Sequence, residues 1–216
     1  MIIAVDGTAA SGKGTLAKRL ADHFHLAHLD TGGLYRAVAL RVLRLPFPAD
    51  DALAHAASEA AKLTTDDLNH ADLRLEATSA MASRVASIPA VRQALLAYQR
   101  DFAANPPNQA YGAVLDGRDI GTIILPNANI KFYCDAEIEI RAQRRHKELI
   151  SRGETATYAD ILAGIADRDR RDMNRPVAPL KPAEDAIRIN TGKYAIDQMV
   201  EQAMTYIVSP ESEPPA

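Results

Sequence analysis

Short apolar runs alternate with stretches of helical periodicity along the chain. Apolar runs without polar alternation predict buried strands, and these lie at residues 2–6, 26–29, 111–116, 130–134 and 186–190. Apolar residues that recur at every third or fourth position predict helices, and these lie at 13–24, 31–45, 50–63, 89–104, 136–151, 157–174 and 193–208. This alternation is typical of a three-layer α/β fold, so we expect a mainly parallel central sheet with helices on both faces.

The helix predicted to begin at Pro89 has clear boundary signals. Proline favours the first turn of a helix, and Ser87 is the expected N-cap. The sequence Asn-Pro-Pro-Asn at residues 105–108 marks a break after the helix. Its apolar face is expected to comprise Val91, Leu95, Tyr98 and Phe102. Residues 64–88, in comparison, have a mostly helical composition without a clear period.

Composition and charge limit the classes of protein to consider. The 216 residues fit one domain, and a net charge of −3 argues against a binder of nucleic acid or membranes. The single cysteine, Cys134, excludes an internal disulfide and is expected in the core. The first apolar run is too short for a signal peptide or a membrane span. We therefore expect a cytoplasmic monomer that acts on small molecules.

The stretch GTAASGKGT, residues 7–15, follows the first predicted strand and opens the first predicted helix. This order matches the phosphate-binding P-loop pattern G-x-x-x-x-G-K. Backbone N–H groups at a helix N-terminus bind phosphate, and glycines let the backbone approach closely. We expect Lys13 to reach the terminal phosphates of a nucleoside triphosphate. The expected nucleotide-binding residues are Gly7, Thr8, Ala9, Ala10, Ser11, Gly12, Lys13, Gly14 and Thr15.

Gly14 separates Lys13 from the hydroxyl residue that directly follows the lysine in a strict P-loop. The sequence GKGT in place of GK[ST] resembles the P-loop of nucleoside monophosphate kinases. This resemblance implies that the Thr15 hydroxyl lies near the phosphates and Mg²⁺. Asp116 ends a predicted strand beside a glycine, where P-loop enzymes place an aspartate near Mg²⁺. A cap or turn role is the alternative for Asp116.

Four further stretches narrow the resemblance. They are LDTGGLYR (29–36), VASIPAVRQALLAYQRDF (85–102), LDGRDIGT (115–122) and DRDRRDMNRPVAPLKPAEDA (167–186). In this order, across nearly the whole chain, they resemble bacterial cytidylate kinases. The resemblance implies a P-loop kinase fold with a small acceptor-binding insert and an arginine-rich lid. It also implies transfer of a phosphoryl group from ATP, with Mg²⁺, to CMP and dCMP in pyrimidine metabolism.

The resemblance further implies which residues hold the acceptor. The monophosphate and sugar are expected near Thr31, Tyr35, Arg36 and Arg118, and the ribose near Arg168 and Asp172. The base is expected among Ser83, Arg92, Asp119 and Arg175. Cytosine has an amino donor and two ring acceptors, which suit a carboxylate and arginines, whereas a carboxylate disfavours uracil. A simple turn role is the alternative for Asp119.

Residues 141–175 are basic within an acidic chain, with nine Lys and Arg against six Asp and Glu. Phosphoryl transfer needs cations around the transferred group, so we expect two helices around Gly153 to form a mobile lid that closes over ATP. Together with Lys13, the expected catalytic residues are Arg144 and Arg171. A solvated helix pair laced with salt bridges is the alternative.

One kinase domain is expected over residues 1–209. Its parts are a core (1–45, 105–140 and 183–208), an acceptor-binding region (46–104) and a lid (about 141–182), and residues 210–216 are expected to be a disordered tail. Cytidylate kinases of the longer type carry a β-rich insert before the segment equivalent to residues 77–87. Here residues 64–77 are few and lack strand alternation, so we expect only a slight cover over the base.

Other functions fit the sequence less well. A P-loop kinase for adenylate, uridylate or shikimate is disfavoured by LDGRDIGT and APLKPAEDA. A GTPase-like switch needs an N-K-x-D stretch, which NTGK at residues 190–193 does not match, and a hydrolase nucleophile elbow G-x-S-x-G is missing. His23, His25 and His28 lack the spacing of a metal site, so we interpret them as solvated residues at a helix end.

Overall fold

The computed structural model describes residues 1–208, and the tail predicted at 210–216 lies outside them. One sheet contains β1 (Ile2–Gly7), β2 (Ala27–Asp30), β3 (Ala113–Gly117), β4 (Ile130–Asp135) and β5 (Ile187–Asn190), in the spatial order β2-β3-β1-β4-β5. All four strand pairings are parallel. The predicted parallel sheet is therefore confirmed.

The helices between the strands agree with most of the predicted spans. The α-helices in the described part are α1 (Lys13–Phe24), α2 (Thr31–Leu43), α3 (Ala49–Leu53), α4 (Ala56–Ala61), α5 (Glu76–Val85), α6 (Pro89–Ala104), α7 (Ile138–Ser151), α8 (Tyr158–Asn174) and α9 (Ile196–Val208). Shorter helical turns cover Asp66–Asn69, Ala71–Arg74, Pro107–Gln109 and Ile120–Ile124. None of the described helices is long and apolar enough to cross a membrane.

Two apolar layers cover the sheet because consecutive residues of a buried strand face opposite sides. On one side, Val5 and Phe132 pack with Leu16 of α1 and with residues of α9. On the other side, Ala4 and Leu115 belong to a cluster with residues of α2, α5 and α6. The three-layer α/β architecture is thus confirmed.

The region between α2 and α6 differs most from the prediction. The single helix expected at 50–63 is wrong, because a turn at 54–55 separates α3 from α4. Residues 64–88 form two 3₁₀ turns followed by α5, and this described stretch contains no strand, in agreement with its lack of alternation. The segment therefore covers α2 with short helical turns.

Two details predicted for α6 are wrong. Ser87 does not cap the helix, since Ile88 is the extended residue before Pro89 and the Ser87 hydroxyl donates to the Arg84 carbonyl. Tyr98 is exposed, whereas Val91 is buried. The buried stripe advances in steps of four residues and reaches position 99, so Tyr98 lies about 100° away from it around the helix.

The order of the strands places the carboxyl end of β1 at the centre of the molecule. From β1 the chain leads to β2 and β3 on one side and to β4 and β5 on the other. In open parallel sheets, ligands bind in the crevice at such a reversal of strand order. The GTAASGKGT loop begins at this point.

Candidate active site

Gly7 and Gly12 allow the loop between β1 and α1 to take its shape. Gly12 precedes α1 with φ of 83°, a left-handed conformation that disfavours a Cβ. At Gly7 a Cβ would lie 2.0 Å from the carbonyl oxygen of Cys134 in the neighbouring strand. Because no described side chain caps α1, its first N–H groups are left to bind an anion.

Buried polar contacts hold the first half of the loop. The Thr8 hydroxyl donates to Asp135 Oδ1 at 2.6 Å, and the Ala9 N–H donates to Asp169 Oδ1 at 3.2 Å. Arg141 donates to the Ala9 carbonyl at 3.1 Å and also to Asp169. The end of β4 and the helices α7 and α8 therefore position the loop.

The P-loop cleft is a depression of about 1170 Å³ lined by all the residues from 9 to 15. Its opposite wall includes Arg145 of α7 and Arg168 of α8. Gly7 and Thr8 are not among the lining residues, so the structure gives them a supporting place at the base of the loop. The volume and the exposed backbone N–H groups suit a nucleotide with its phosphates at the start of α1.

Lys13 lies on this cleft and forms no ion pair with a described residue. Burial of its ammonium group, together with the positive charge of Arg118, lowers the pKa of Lys13 to about 8. Phosphate oxygens placed beside the ammonium group would favour its charged form again. Asp116 and Asp30 offset this shift only in part, so the protein compensates the charge of the lysine incompletely.

The acceptor pocket is a smaller cavity of about 180 Å³ beside the cleft. It is lined by all ten residues that the resemblance implies for the acceptor: Thr31, Tyr35, Arg36, Ser83, Arg92, Arg118, Asp119, Arg168, Asp172 and Arg175. These residues come from α2, α5, α6, the segment after β3, α8 and the residue that ends α8. The fold therefore brings widely separated parts of the chain into one pocket.

Arginines and aspartates in the acceptor pocket are paired with one another. The buried Asp119 carboxylate contacts Arg92 through one oxygen and Arg175, at 3.4 Å, through the other. The Nε of Arg118 donates to Asp172 Oδ2 at 2.9 Å. These pairs orient the polar groups before any ligand binds.

These ion pairs, together with burial, shift the pKa values of the buried acids. Burial raises the pKa of Asp119, although its two arginine partners oppose the shift. Burial acts on Asp172 in the same direction, but Arg118 and Arg168 hold the pKa of that carboxyl below its usual range. Burial and the nearby charge of Arg118 lower the pKa of Arg168 to about 10. Positive charge therefore accumulates where Arg118 and Arg168 meet.

Four buried side-chain atoms at the two cavities have no hydrogen-bond partner among the described residues. They are Ser11 Oγ, Tyr35 Oη, Arg36 Nε and Arg168 Nε. Buried polar atoms are nearly always paired in native structures. Unpaired donors that converge on a cavity are what a bound phosphate or hydroxyl would satisfy.

The two arginines predicted to act from the lid have different surroundings. Arg144 donates to the Thr191 hydroxyl at 3.1 Å and to the Thr191 carbonyl at 2.7 Å. The Thr191 hydroxyl in turn donates to the Ser11 carbonyl at 2.6 Å, so Arg144 lies at the edge of the P-loop. Arg171 is exposed on α8 and lines neither cavity. Its catalytic role requires α8 to move and stays a prediction.

The residues predicted to contact Mg²⁺ lie close to Lys13. Asp116 is buried and lines both cavities, and Thr15 is exposed on the P-loop cleft. A Cβ on Gly14 would lie 3.6 Å from Asp116 Oδ2, which places this oxygen at the start of α1. Within residues 1–208, no three His, Cys, Asp or Glu side chains are grouped to hold a metal alone. Two protein oxygens beside a phosphate loop nevertheless suit Mg²⁺, which takes further oxygens from phosphates and water.

The interpretation of His28 as a solvated residue is wrong. His23 and His25 are exposed, but His28 belongs to β2 and is partly buried. Its Nε2 lies 2.8 Å from Asp116 Oδ1, and the residue lines the P-loop cleft. The strand predicted at 26–29 already contained this position, so its place in the strand could have separated it from the other two histidines.

Asp6 was not among the predicted site residues. It is buried in β1 directly before Gly7, and burial raises the pKa of its carboxyl to about 7 although two backbone N–H groups donate to it. An acid at the carboxyl end of a buried strand, next to a phosphate loop, was the signal in the sequence that could have identified it.

Comparisons with known proteins agree with this geometry. The family model described as Cytidylate kinase matches residues 3–209. A cytidylate kinase of Paramagnetospirillum magneticum is 51% identical over 209 residues, covering 96% of this chain and 98% of the relative. One from Nitrobacter winogradskyi is 50% identical over 210 residues, covering 97% and 96%.

A solved structure supports the fold independently. A chain from Eubacterium ventriosum, described as an uncharacterized protein, has a TM-score of 0.55 at 20% identity and covers 97% of this chain and 98% of its own length. At that identity the likeness concerns the fold alone. The family match and the two close relatives extend over almost the whole sequence, and on these grounds the chain belongs to the cytidylate kinase family.

Proposed function

We propose that this protein transfers the γ-phosphoryl group of ATP to CMP, producing ADP and CDP. The observation that carries the proposal is that the P-loop cleft and the acceptor pocket share one wall. The residues that line both are Ala10, Lys13, Asp30, Arg36, Asp116 and Arg168. Two nucleotides bound in these cavities would have their phosphates face each other across Lys13.

The shared wall supplies what phosphoryl transfer requires. The reaction proceeds in line, and the protein contributes position and positive charge. Lys13 stabilises the transferred group, and Arg36 and Arg168, which also line both cavities, add positive charge beside it. Asp30 accepts a hydrogen bond from Arg36 and directs that guanidinium towards the junction. Arg144 and Arg171 are proposed to add positive charge when the lid closes.

The far end of the acceptor pocket is proposed to bind the base. Asp119 accepts from the cytosine amino group, and Arg92 and Arg175 donate to the ring acceptors. Because both arginines already contact Asp119, the carboxylate and the two guanidinium groups lie next to one another at this end of the pocket. Uracil would place a carbonyl oxygen against the Asp119 carboxylate, which disfavours UMP.

The ribose is proposed to lie between the base and the phosphate, near Arg168 and Asp172. The Asp172 carboxylate also accepts a hydrogen bond from the Ser83 hydroxyl at 3.2 Å. Since binding of the acceptor does not depend on the ribose 2′-hydroxyl alone, dCMP is a second proposed acceptor. The ratio of kcat/KM for CMP to that for dCMP measures what the 2′-hydroxyl contributes.

Magnesium is proposed to bind with ATP, held by Asp116 and Thr15. The bound ion neutralises phosphate charge. Asp116 offers its free Oδ2 because His28 occupies the other oxygen.

The proposed state in solution is a cytoplasmic monomer. Residues of this one chain line both cavities, so the proposed site is complete without a second copy. The only cysteine, Cys134, is buried as a free thiol, which is compatible with a reducing compartment. Sedimentation at several protein concentrations tests the monomer.

A coupled assay for ADP tests the proposed activity. Purified protein with ATP and Mg²⁺ is given CMP, dCMP, UMP and AMP in parallel, and CMP is expected to have the highest kcat/KM. Preference for AMP or UMP would replace the proposal by another nucleoside monophosphate kinase activity. Slow release of bound nucleotide without turnover would favour a nucleotide-binding switch.

A further inference from the structure

The Asp6 carboxylate has an unusual set of partners. It lies in the central strand β1, is 3% exposed, and forms no ion pair with a described lysine or arginine. Its Oδ1 accepts from the Ile120 N–H at 2.8 Å, and its Oδ2 accepts from the Gly121 N–H at 2.8 Å. A carboxylate that leaves water for two backbone donors must be held there by the fold, because burial of an ion is costly.

The two donors belong to a segment that we call the reading loop, residues 117–121. The helical turn Ile120–Ile124 begins within it, directly after Asp119. An acid at the N-terminus of a helical turn accepts the N–H groups that the turn leaves free. Asp6 therefore fixes the backbone from Ile120 onwards.

The side chains just before these donors belong to the acceptor pocket. Asp119 contacts Arg92 and Arg175, and Arg118 contacts Asp172. A movement of the Ile120 backbone would carry both side chains with it. Contacts of this kind must be held within about 0.5 Å for recognition to be effective.

Gly7, the residue after Asp6, opens the P-loop. In the β1–β3 register, Asp6 lies opposite Gly117, the first residue of the reading loop. The carboxyl end of β1 is thus joined to the P-loop through the main chain and to the reading loop through the side chain of Asp6. The Asp6 side chain adds two hydrogen bonds to the β1–β3 pairing that holds the two loops side by side.

We propose that Asp6 is a positioning residue for acceptor recognition, which holds the reading loop in register with the P-loop. This inference rests on the proposed function, because the reading loop must recognise CMP for its position to matter. Asp6 contacts neither nucleotide, since it lines neither cavity.

The test compares Asp6→Asn with Thr8→Val. Asparagine keeps the shape of the side chain but turns an amide donor towards one of the two N–H groups. At pH 8.5, above the pKa of about 7, Asp6 is charged, and a lost charged hydrogen bond corresponds to about 10-fold or more. The KM for CMP is therefore expected to rise by about that factor at this pH. The CMP-to-UMP ratio of kcat/KM should narrow, while the KM for ATP stays within about twofold.

Thr8→Val is the matched control because it removes a buried anchor of the P-loop, the hydroxyl contact with Asp135. This variant is expected to raise the KM for ATP and to preserve the CMP-to-UMP ratio. If Asp6→Asn raises the KM for ATP and the KM for CMP by the same factor and leaves the CMP-to-UMP ratio of kcat/KM unchanged, Asp6 is merely structural and the proposal is wrong.

Amide hydrogen exchange gives a measurement that needs no substrate, and its first part needs only the wild-type protein. The Ile120 and Gly121 amides are expected to exchange slowly in the free protein, and in a folded Asp6→Asn protein faster than the amides of β1. Exchange of these two amides at solvent rates in the wild type would overturn the proposal. If the protein does not phosphorylate CMP but these two amides exchange slowly, the result counts against the proposed function alone.

Discussion

The P-loop cleft and the acceptor pocket lie side by side but are built differently. The phosphate-binding end of the cleft depends on one contiguous stretch, residues 9–15, which offers backbone N–H groups and Lys13. The acceptor pocket depends on side chains from α2, α5, α6, the reading loop and α8. Lys13 has no ionic partner in the described chain, whereas Asp119 and Asp172 each contact arginines.

This difference separates two ways of recognising phosphate compounds. The cleft holds a buried cation that Asp116 and Asp30 compensate only in part, so a bound triphosphate supplies further negative charge beside it. Although cations outnumber acids along the pocket, Asp119 and Asp172 are already paired with arginines, so the ligand must exchange one set of hydrogen bonds for another. Loss of charge at Lys13 should therefore affect the rate most strongly, and changes in the pocket should affect selection of the acceptor.

Lys13→Ala tests the cleft and has the largest expected effect. Removal of the cation at the transferred phosphoryl group should lower kcat by about 10³–10⁵-fold, the range for a cation that stabilises the transition state. Steady-state rates with ATP and CMP measure the loss. Lys147→Ala, which removes an exposed charge from α7, should retain the wild-type rate. Near-normal turnover of Lys13→Ala would contradict the proposed role.

Asp119→Asn tests the pocket. The neutral amide weakens the contacts with both arginines and no longer repels the uracil carbonyl, so kcat/KM for CMP should fall by about 10- to 150-fold. The ratio of kcat/KM for CMP to kcat/KM for UMP should fall at the same time. Asp66→Asn, an exposed change in the acceptor-binding region, serves as the control. A ratio equal to that of the wild type would make Asp119 a turn residue only.

Arg144→Ala and Arg171→Ala, measured separately, test whether the lid belongs to the cleft. Each should lower kcat by about 10-fold, the lower end for a charged hydrogen bond, with a smaller effect on the KM for CMP. Neither arginine lines a cavity in this structure, but Arg171 gives the sharper result because it is exposed, whereas Arg144 already contacts Thr191 beside the P-loop. An unchanged kcat for Arg171→Ala would mean that α8 does not bring this residue to ATP.

Proton uptake on ATP binding is the smallest expected effect. With a pKa of about 8, Lys13 is half-charged at pH 8, and phosphate binding should complete its protonation with uptake of about half a proton. Calorimetry in buffers of different ionisation enthalpy measures this number. Lys13→Arg, which stays charged, should lack this uptake. Equal uptake by both proteins would show that another group titrates.

The P-loop side of the cleft was predictable from local sequence because its parts are neighbours in the chain. An apolar strand, a glycine-rich loop, a lysine and a helical period follow one another within 24 residues, and each has its own pattern. The acceptor pocket was not accessible in this way. Nothing in the periodicity brings Ser83 to Asp172, 89 positions away, and these residues were identified only through the family resemblance.

Two errors, at His28 and Asp6, arose where a long-range contact outweighed a local pattern, and a third, at Ser87, was local. His28 was grouped with two nearby histidines, but the pairing of β2 with β3 brings it to Asp116. Asp6 was passed over because its partners are 114 and 115 positions further along the chain. Ser87 is a good capping residue by type, yet the helix begins after Ile88 with no side-chain cap.

The central position of β1 also affects the order in which the site can form during synthesis. Both neighbours of β1, β3 and β4, come more than 100 residues later in the chain. A ribosome adds about 5–20 residues per second, so roughly 6–26 s separate the synthesis of Gly7 from that of Asp135. Until then the glycine loop lacks a complete β4 and the anchor at Asp135, and the anchor at Asp169 follows later still. Nucleotide binding should therefore begin only after most of the polypeptide has left the ribosome.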